Sequence, residues 1–133
     1  MADKSIGLKC EVKKIFDKGL TKAVLQQIKD TIEASVNGTK GLVFDEKAKS
    51  GWLLTATVVS LETDDPNNPD SLAIKISIDG LALGGSASAF SASGNRKVSG
   101  INPKKLEAEV TSIVNDAFGE LMKKQVTKVL TSD

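Results

Sequence analysis

The residue types best suited to chemistry are few and loosely spaced. The stretch "DDPNNPD", Asp64 to Asp70, gathers the side-chain oxygens of Asp64, Asp65, Asn67, Asn68 and Asp70, the donors that hard cations such as calcium take. With Asp65 as first ligand, however, Pro69 falls on a ligand position and the invariant glycine is missing, so the stretch reads as a solvated turn. Its two prolines end any strand that enters it. A second candidate is "LALGGSASAFSASGN", Leu81 to Asn95, in which a phosphate cradle would use the N–H groups of Gly84, Gly85 and Ser86. Such cradles depend on a helix beginning directly behind them. Here no helix start precedes Asn102, and neither glycine-rich nucleotide pattern is present.

The remaining candidates are single residues. Cys10 is the one cysteine, which excludes an internal disulfide. It sits in an alternating strand pattern that turns it toward the core, so an inert buried thiol is expected rather than a nucleophile. Lys13, Lys14, Lys18 and Lys22 form a small basic group, interrupted by Asp17 and without interleaved aromatics, which reads as solvated surface. Histidine and tyrosine are absent. Without histidine there is no Ser-His or Cys-His pair and no common zinc site. No catalytic residue, metal or cofactor is therefore expected, and an enzyme of unfamiliar type is only the third reading.

Composition bounds the rest. A chain of 133 residues with 40% hydrophobic and 26% charged residues fits one folded domain, residues 1–133. The 18 basic and 17 acidic side chains leave a net charge of +1, too little to hold nucleic acid or an anionic membrane by overall field. The start "MADKSIGLKCEV" has no apolar run of signal-peptide or membrane-span length, and Lys9 before Cys10 does not suit a lipoprotein cleavage site. A cytoplasmic monomer that does not insert into membranes is expected, or a periplasmic protein if a signal peptide has been removed.

These residues must be positioned by a small set of elements. Ile6, Leu8, Cys10 and Val12 alternate with Lys9, Glu11 and Lys13 as in a half-buried strand. Leu20, Val24, Leu25, Ile28, Ile32 and Val36 recur at helical spacing, with Asp17 or Thr21 to cap the start and Asn37-Gly38 to stop it. "GLVFD" reads as a short strand and "GWLLTATVVSLE" as a longer interior one, with Trp52, Leu54, Ala56 and Val58 on one face. "SLAIKISI" alternates cleanly. From Asn102 and Pro103 onward, Leu106, Val110, Ile113, Val114, Ala117, Phe118, Leu121 and Val126 make one apolar stripe, a helix to about residue 129. The order β-α-β-β-β-β-α predicts a two-layer α+β sandwich. It would hold a mainly antiparallel sheet of four to five strands, with two helices on one face and water on the other.

Asp79-Gly80 between alternating apolar residues is a hairpin signal. Taken as the turn, it pairs Ile78 with Leu81 and Ile76 with Leu83. Gly85, Ala87 and Ala89 then form a low surface for a helix to approach, while Ser86, Ser88 and Phe90 face solvent. One long strand bulged at Asp79-Gly80 is the alternative. Phe90, if outward, is the candidate partner contact; a strand that ends or bulges before it would turn it inward.

The succession of helix 20–36, "GLVF", "GWLLTATVVSLE", "LAIKISI" and closing helix resembles small α+β modules of bacterial envelope accessory proteins. These include the penicillin-binding-protein activator lipoproteins and the amino-terminal module of the Tol translocation protein. The likeness spans roughly residues 5–129, in element order and hydrophobic pattern. It implies a non-enzymatic protein-binding role and transfers no functional residue. The expected function is an interaction module for a protein partner, using a sheet face with Thr55, Thr57, Lys75, Ser77 and Ser86. The alternative is a carrier holding an apolar molecule between helices and sheet, with room left by Gly85, Ala87 and Ala89.

Overall fold

Alternation of apolar and polar residues does build strand β1, Lys4–Val12, and the period then changes to helical for α1, Thr21–Asn37. Between them a single 3-10 turn, Lys18–Leu20, is capped by Asp17, whose Oδ1 accepts from the Gly19 N–H at 2.9 Å. The computed structural model describes residues 3–84 and 88–132. Four further strands follow: β2, Leu42–Phe44; β3, Gly51–Thr63; β4, Ser71–Leu83; and β5, Ala89–Ser99. Asn102 accepts from the Lys104 N–H at 3.0 Å with Pro103 at the helix start, and α2 runs from Leu106 to Leu121. A π-helical turn, Met122–Val126, leads into α3, Thr127–Thr131. The last carbonyls of that helix are capped from far away: Lys4 Nζ donates to Leu130 O at 3.0 Å and to Ser132 O at 2.8 Å. A cation there also meets the negative end of the helix dipole.

The sheet order is β2-β1-β3-β4-β5. The fold class is the expected α+β sandwich, and the sheet is mixed: β2 and β3 run parallel to β1, whereas β3, β4 and β5 form an antiparallel meander. Helix α1 packs on β1 and β2, α2 packs on β4 and β5, and the two helices pack on each other. Ile28, Ile32, Leu54, Ile74, Ile76, Ile78, Val114 and Phe118 fill the space between the layers, each at most 2% exposed, in one continuous cluster.

The expected turn at Asp79-Gly80 is not there. β4 runs straight through it in regular register with both neighbours, Gly80 opposite Leu54 on one side and Phe90 on the other. The hairpin connection instead follows Leu83, where Gly84 has φ +84°, a conformation glycine adopts without strain. The alternative of a bulge in β4 is also corrected: Leu72, Ile74, Ile76, Ile78 and Gly80 keep to the helix-covered side without a switch. The apolar parity that suggested a turn changes because Leu81 points to the other side. The empty side-chain position at Gly80 is filled from across the ladder: a β-carbon built there would overlap the ring of Phe90.

The irregularity lies in β3, where the register to β4 shifts between Val58 and Ser60. This bulge places Val59 outward and brings Leu61 into the core beside Ile74. At the start of β3, Gly51 has φ +86°, and an added β-carbon would collide with the backbone of Ser5. Here the connection from β2 has crossed beneath β1 to reach its other side, and only glycine allows the approach.

Candidate interaction face

One side of the sheet carries both helices. Among the described residues the opposite side is uncovered apart from the 45–50 connection, where Asp45 O and Ala48 Cβ approach Gly7. Alternation decides what it presents: Ser5, Lys9 and Glu11 from β1, Val43 from β2, and Leu53, Thr55, Thr57 and Val59 from β3. β4 adds Lys75, Ser77, Asp79 and Leu81, and β5 adds Ala89, Ser91 and Ser93. Leu81 is 50% exposed, Val43 42% and Val59 41%; among the described residues these are the exposed large aliphatic side chains, and all three lie on this face. Exposed residues of this kind are ordinary when scattered singly, and in strands whose other side is covered by helices they fall on this one.

Around Leu81 the face is concave. A shallow groove of about 550 Å³ is lined by Leu53, Thr55, Asp79, Gly80, Leu81, Ala89, Phe90 and Ser91. Ser91 Oγ donates to Asp79 Oδ1 at 2.6 Å, which holds that carboxylate along the rim. Charges of both signs border the face, with Lys14 and Glu62 paired at 2.7 Å.

Of the residues expected on this face, Lys75 is exposed, Thr55 and Ser77 are half-buried, and Thr57 is only 4% exposed. Thr57 sits in the central strand and donates to Glu11 Oε2 at 3.5 Å, so its neighbours shield it from solvent. Ser86 lies outside the described residues, as do Gly85 and Ala87; Ala89 is exposed on the outer face and faces neither helix.

Phe90 belongs to the other side: of the two positions expected for it the inward one is found, reached through the register of β5 rather than through a bulge or an early strand end. With β4 unbroken, Phe90 shares the helix-facing side with Ala92, and its ring meets Trp52 edge-on, centroids 5.3 Å apart at 62°. Both rings are half-buried against the core cluster. Cross-strand aromatic packing of this kind adds to simple area burial.

The other chemical candidates are absorbed by structure. Asp64 Oδ1 accepts from the N–H groups of Asp70 and Ser71, both at 3.0 Å, and these bonds hold its carboxyl well below the usual carboxylate range. Asp65 Oδ1 accepts from the Asn67 N–H at 3.0 Å. The acidic loop thus spends these carboxylates on its own backbone. Cys10 is half-buried on the helix-facing side of β1. Burial pushes its thiol up to about 11, with Glu46 adding to the rise and Lys29 opposing it, so little thiolate forms near neutrality.

The fold defines the class, a two-layer α+β sandwich on a mixed five-stranded sheet. Solved bacterial structures share it. The PelC dodecamer from Paraburkholderia phytofirmans superposes with a TM-score of 0.61 at 10% identity, covering 91% of this chain and 86% of that one. Hypothetical protein CT253 from Chlamydia trachomatis gives 0.59 at 10%, covering 97% and 96%. Protein XCC0632 from Xanthomonas campestris, described as DUF330, gives 0.56 at 11%, covering 97% and 90%. These likenesses are of fold. No protein-family model matches the chain, and no curated protein matches it. No helix among the described residues is long and apolar enough to cross a membrane.

Proposed function

We propose that the chain is a non-enzymatic interaction module of bacterial origin that presents the uncovered face of its sheet to a protein partner. The observation that carries this reading is the groove at Leu81 on that face, whose exposed aliphatic side chain has no cover from the described residues; Val59 and Val43 are exposed elsewhere on the same side. A partner covering the three side chains would remove from water the apolar surface that the chain itself leaves open. The shared fold with PelC, described as a dodecamer, supports it in one further respect, because a chain of this architecture occurs there in a protein assembly. Phe90 supports the groove from behind: it packs on Gly80, whose backbone forms part of the groove floor. The test is capture from native extract with wild type and Leu81→Asp. The charged residue abolishes recovery of the specific partner while the melting temperature stays within a few degrees; equal recovery by both proteins overturns the reading.

A further inference from the structure

The edge of the sheet at β1 is half finished. β2 borders β1 only from Lys4 to Ile6, and after Asp45 donates to the Ile6 carbonyl at 2.9 Å the chain turns away. β1 continues to Val12 with β3 on one side and, among the described residues, no strand on the other. In a parallel strand the N–H and C=O of a residue point to the same neighbour. Lys4 N–H bonds to Gly41 O and Lys13 N–H to Val58 O, so even-numbered residues face the β2 side and odd-numbered ones face β3. Leu8, Cys10 and Val12 therefore direct their backbone groups outward. No hydrogen bond from another described residue meets them there.

A groove of about 310 Å³ runs beside this edge, floored by Leu8 and Cys10 and walled by Lys22, Leu25, Gln26 and Lys29 of α1, with Glu46 at one end. Those four helix positions form one stripe. Its lysines stand ~10 Å apart at 1.5 Å rise per residue, close to the ~13 Å that β1 covers from Leu8 to Val12. Lys9 and Lys13 lie on the other side of the edge, so four lysines flank it against Glu11 and Glu46. The Lys29–Glu46 pair, at 3.6 Å and exposed, gives little resistance to a competing carboxylate. The opposite edge, β5, offers less: its groove against α2 holds about 100 Å³. Arg96 there is already engaged by Glu120 at 3.1 Å.

We propose that the free edge of β1 from Leu8 to Val12, with the α1 stripe Lys22 to Lys29, takes up an extended acidic peptide segment of a partner protein as an added strand. Main-chain bonds to Leu8, Cys10 and Val12 supply the pairing. An apolar side chain enters over Leu8, Cys10 and Leu25, and carboxylates meet the lysines. The inference rests on the interaction reading but concerns a surface separate from the outer face.

The experiment titrates isotope-labelled full chain with a short synthetic peptide alternating glutamate and valine, beside the same peptide carrying lysine for glutamate or a central proline. The expected result is that the Leu8, Cys10 and Val12 amides shift and gain protection from hydrogen exchange with the acidic peptide alone. Lys22→Glu with Lys29→Glu weakens binding by about tenfold or more, whereas the arginine pair retains it. Binding by Leu81→Asp is unchanged, which separates failure here from failure of the outer-face reading. Absence of binding, equal binding of the lysine peptide, or shifts that spare these amides overturns the proposal. So does concentration-dependent protection of the same amides without peptide, which would assign the edge to a second copy.

Discussion

At the scale of single residues, the Gly80–Phe90 pair decides how the glycine- and serine-rich stretch from Leu81 to Asn95 is understood. A glycine in a strand interior leaves a gap beside Leu54, and the ring of Phe90 occupies it from the neighbouring strand while also meeting Trp52. Phe90→Ser removes a half-buried ring from two partners, so a loss of about 2 kcal/mol is expected, below the range for fully buried rings. Urea denaturation measures it; a loss under about 0.5 kcal/mol, the usual range for surface changes, would show that the ring is not packed. The sequence made Phe90 conspicuous and left both sides open to it; only the hairpin register put it outward. Asp79-Gly80 has the chemistry of a tight turn, and nothing local reveals that β3 is long enough to pair with β4 on both sides of it. Once the strand runs on, parity turns Leu81 outward, and the register of β5 with β4 then sets Phe90 opposite Gly80 on the helix-facing side.

At the scale of elements, most boundaries were legible because local chemistry sets them: Asp17 and Asn102 cap, Pro103 starts and Asn37-Gly38 stops, as their types suggest. Features fixed by distant contacts were not. The bulge at Val59 answers to the register with β4, and Lys4 caps a helix more than a hundred residues away. The acidic loop lies between these cases, since its composition marks a turn but hides which oxygen organises it. Asp64 receives two backbone N–H bonds and one from the Thr63 hydroxyl, and so ties the end of β3 to the start of β4. Its folded-state acidity is raised, so below about pH 4 the unfolded chain takes up a proton that the folded chain refuses. This contribution to stability is fully present above that pH and declines as pH falls further. Asp64→Asn should lower the melting temperature at pH 7 and lessen the difference between pH 7 and pH 3. A wild-type and variant difference that does not change between those two pH values would remove Asp64 from this role.

At the scale of the whole molecule, the two faces of one sheet meet different environments. Alternation in β1 and β4 separates them, but in β3, which is apolar or threonine-lined on both sides, composition does not. Its Leu53, Thr55, Thr57 and Val59 look much like a second buried face. The separation comes from the number of helices. Two amphipathic helices cover one side of five strands and supply Phe118, Val114, Ile32 and Ile28 to it, leaving nothing for the other. The asymmetry should be measurable as a contrast between neighbours on one strand. Ile78→Asp places an unpaired charge in the filled interlayer core, where desolvation costs several kcal/mol, and is expected to prevent folding. Leu81→Asp, three residues along, meets water and should change stability by no more than about 0.5 kcal/mol. Circular dichroism and chemical denaturation of both variants decide the matter. If Leu81→Asp unfolds the chain as Ile78→Asp does, the outer face is covered by the protein itself, and its availability to a partner is lost with it.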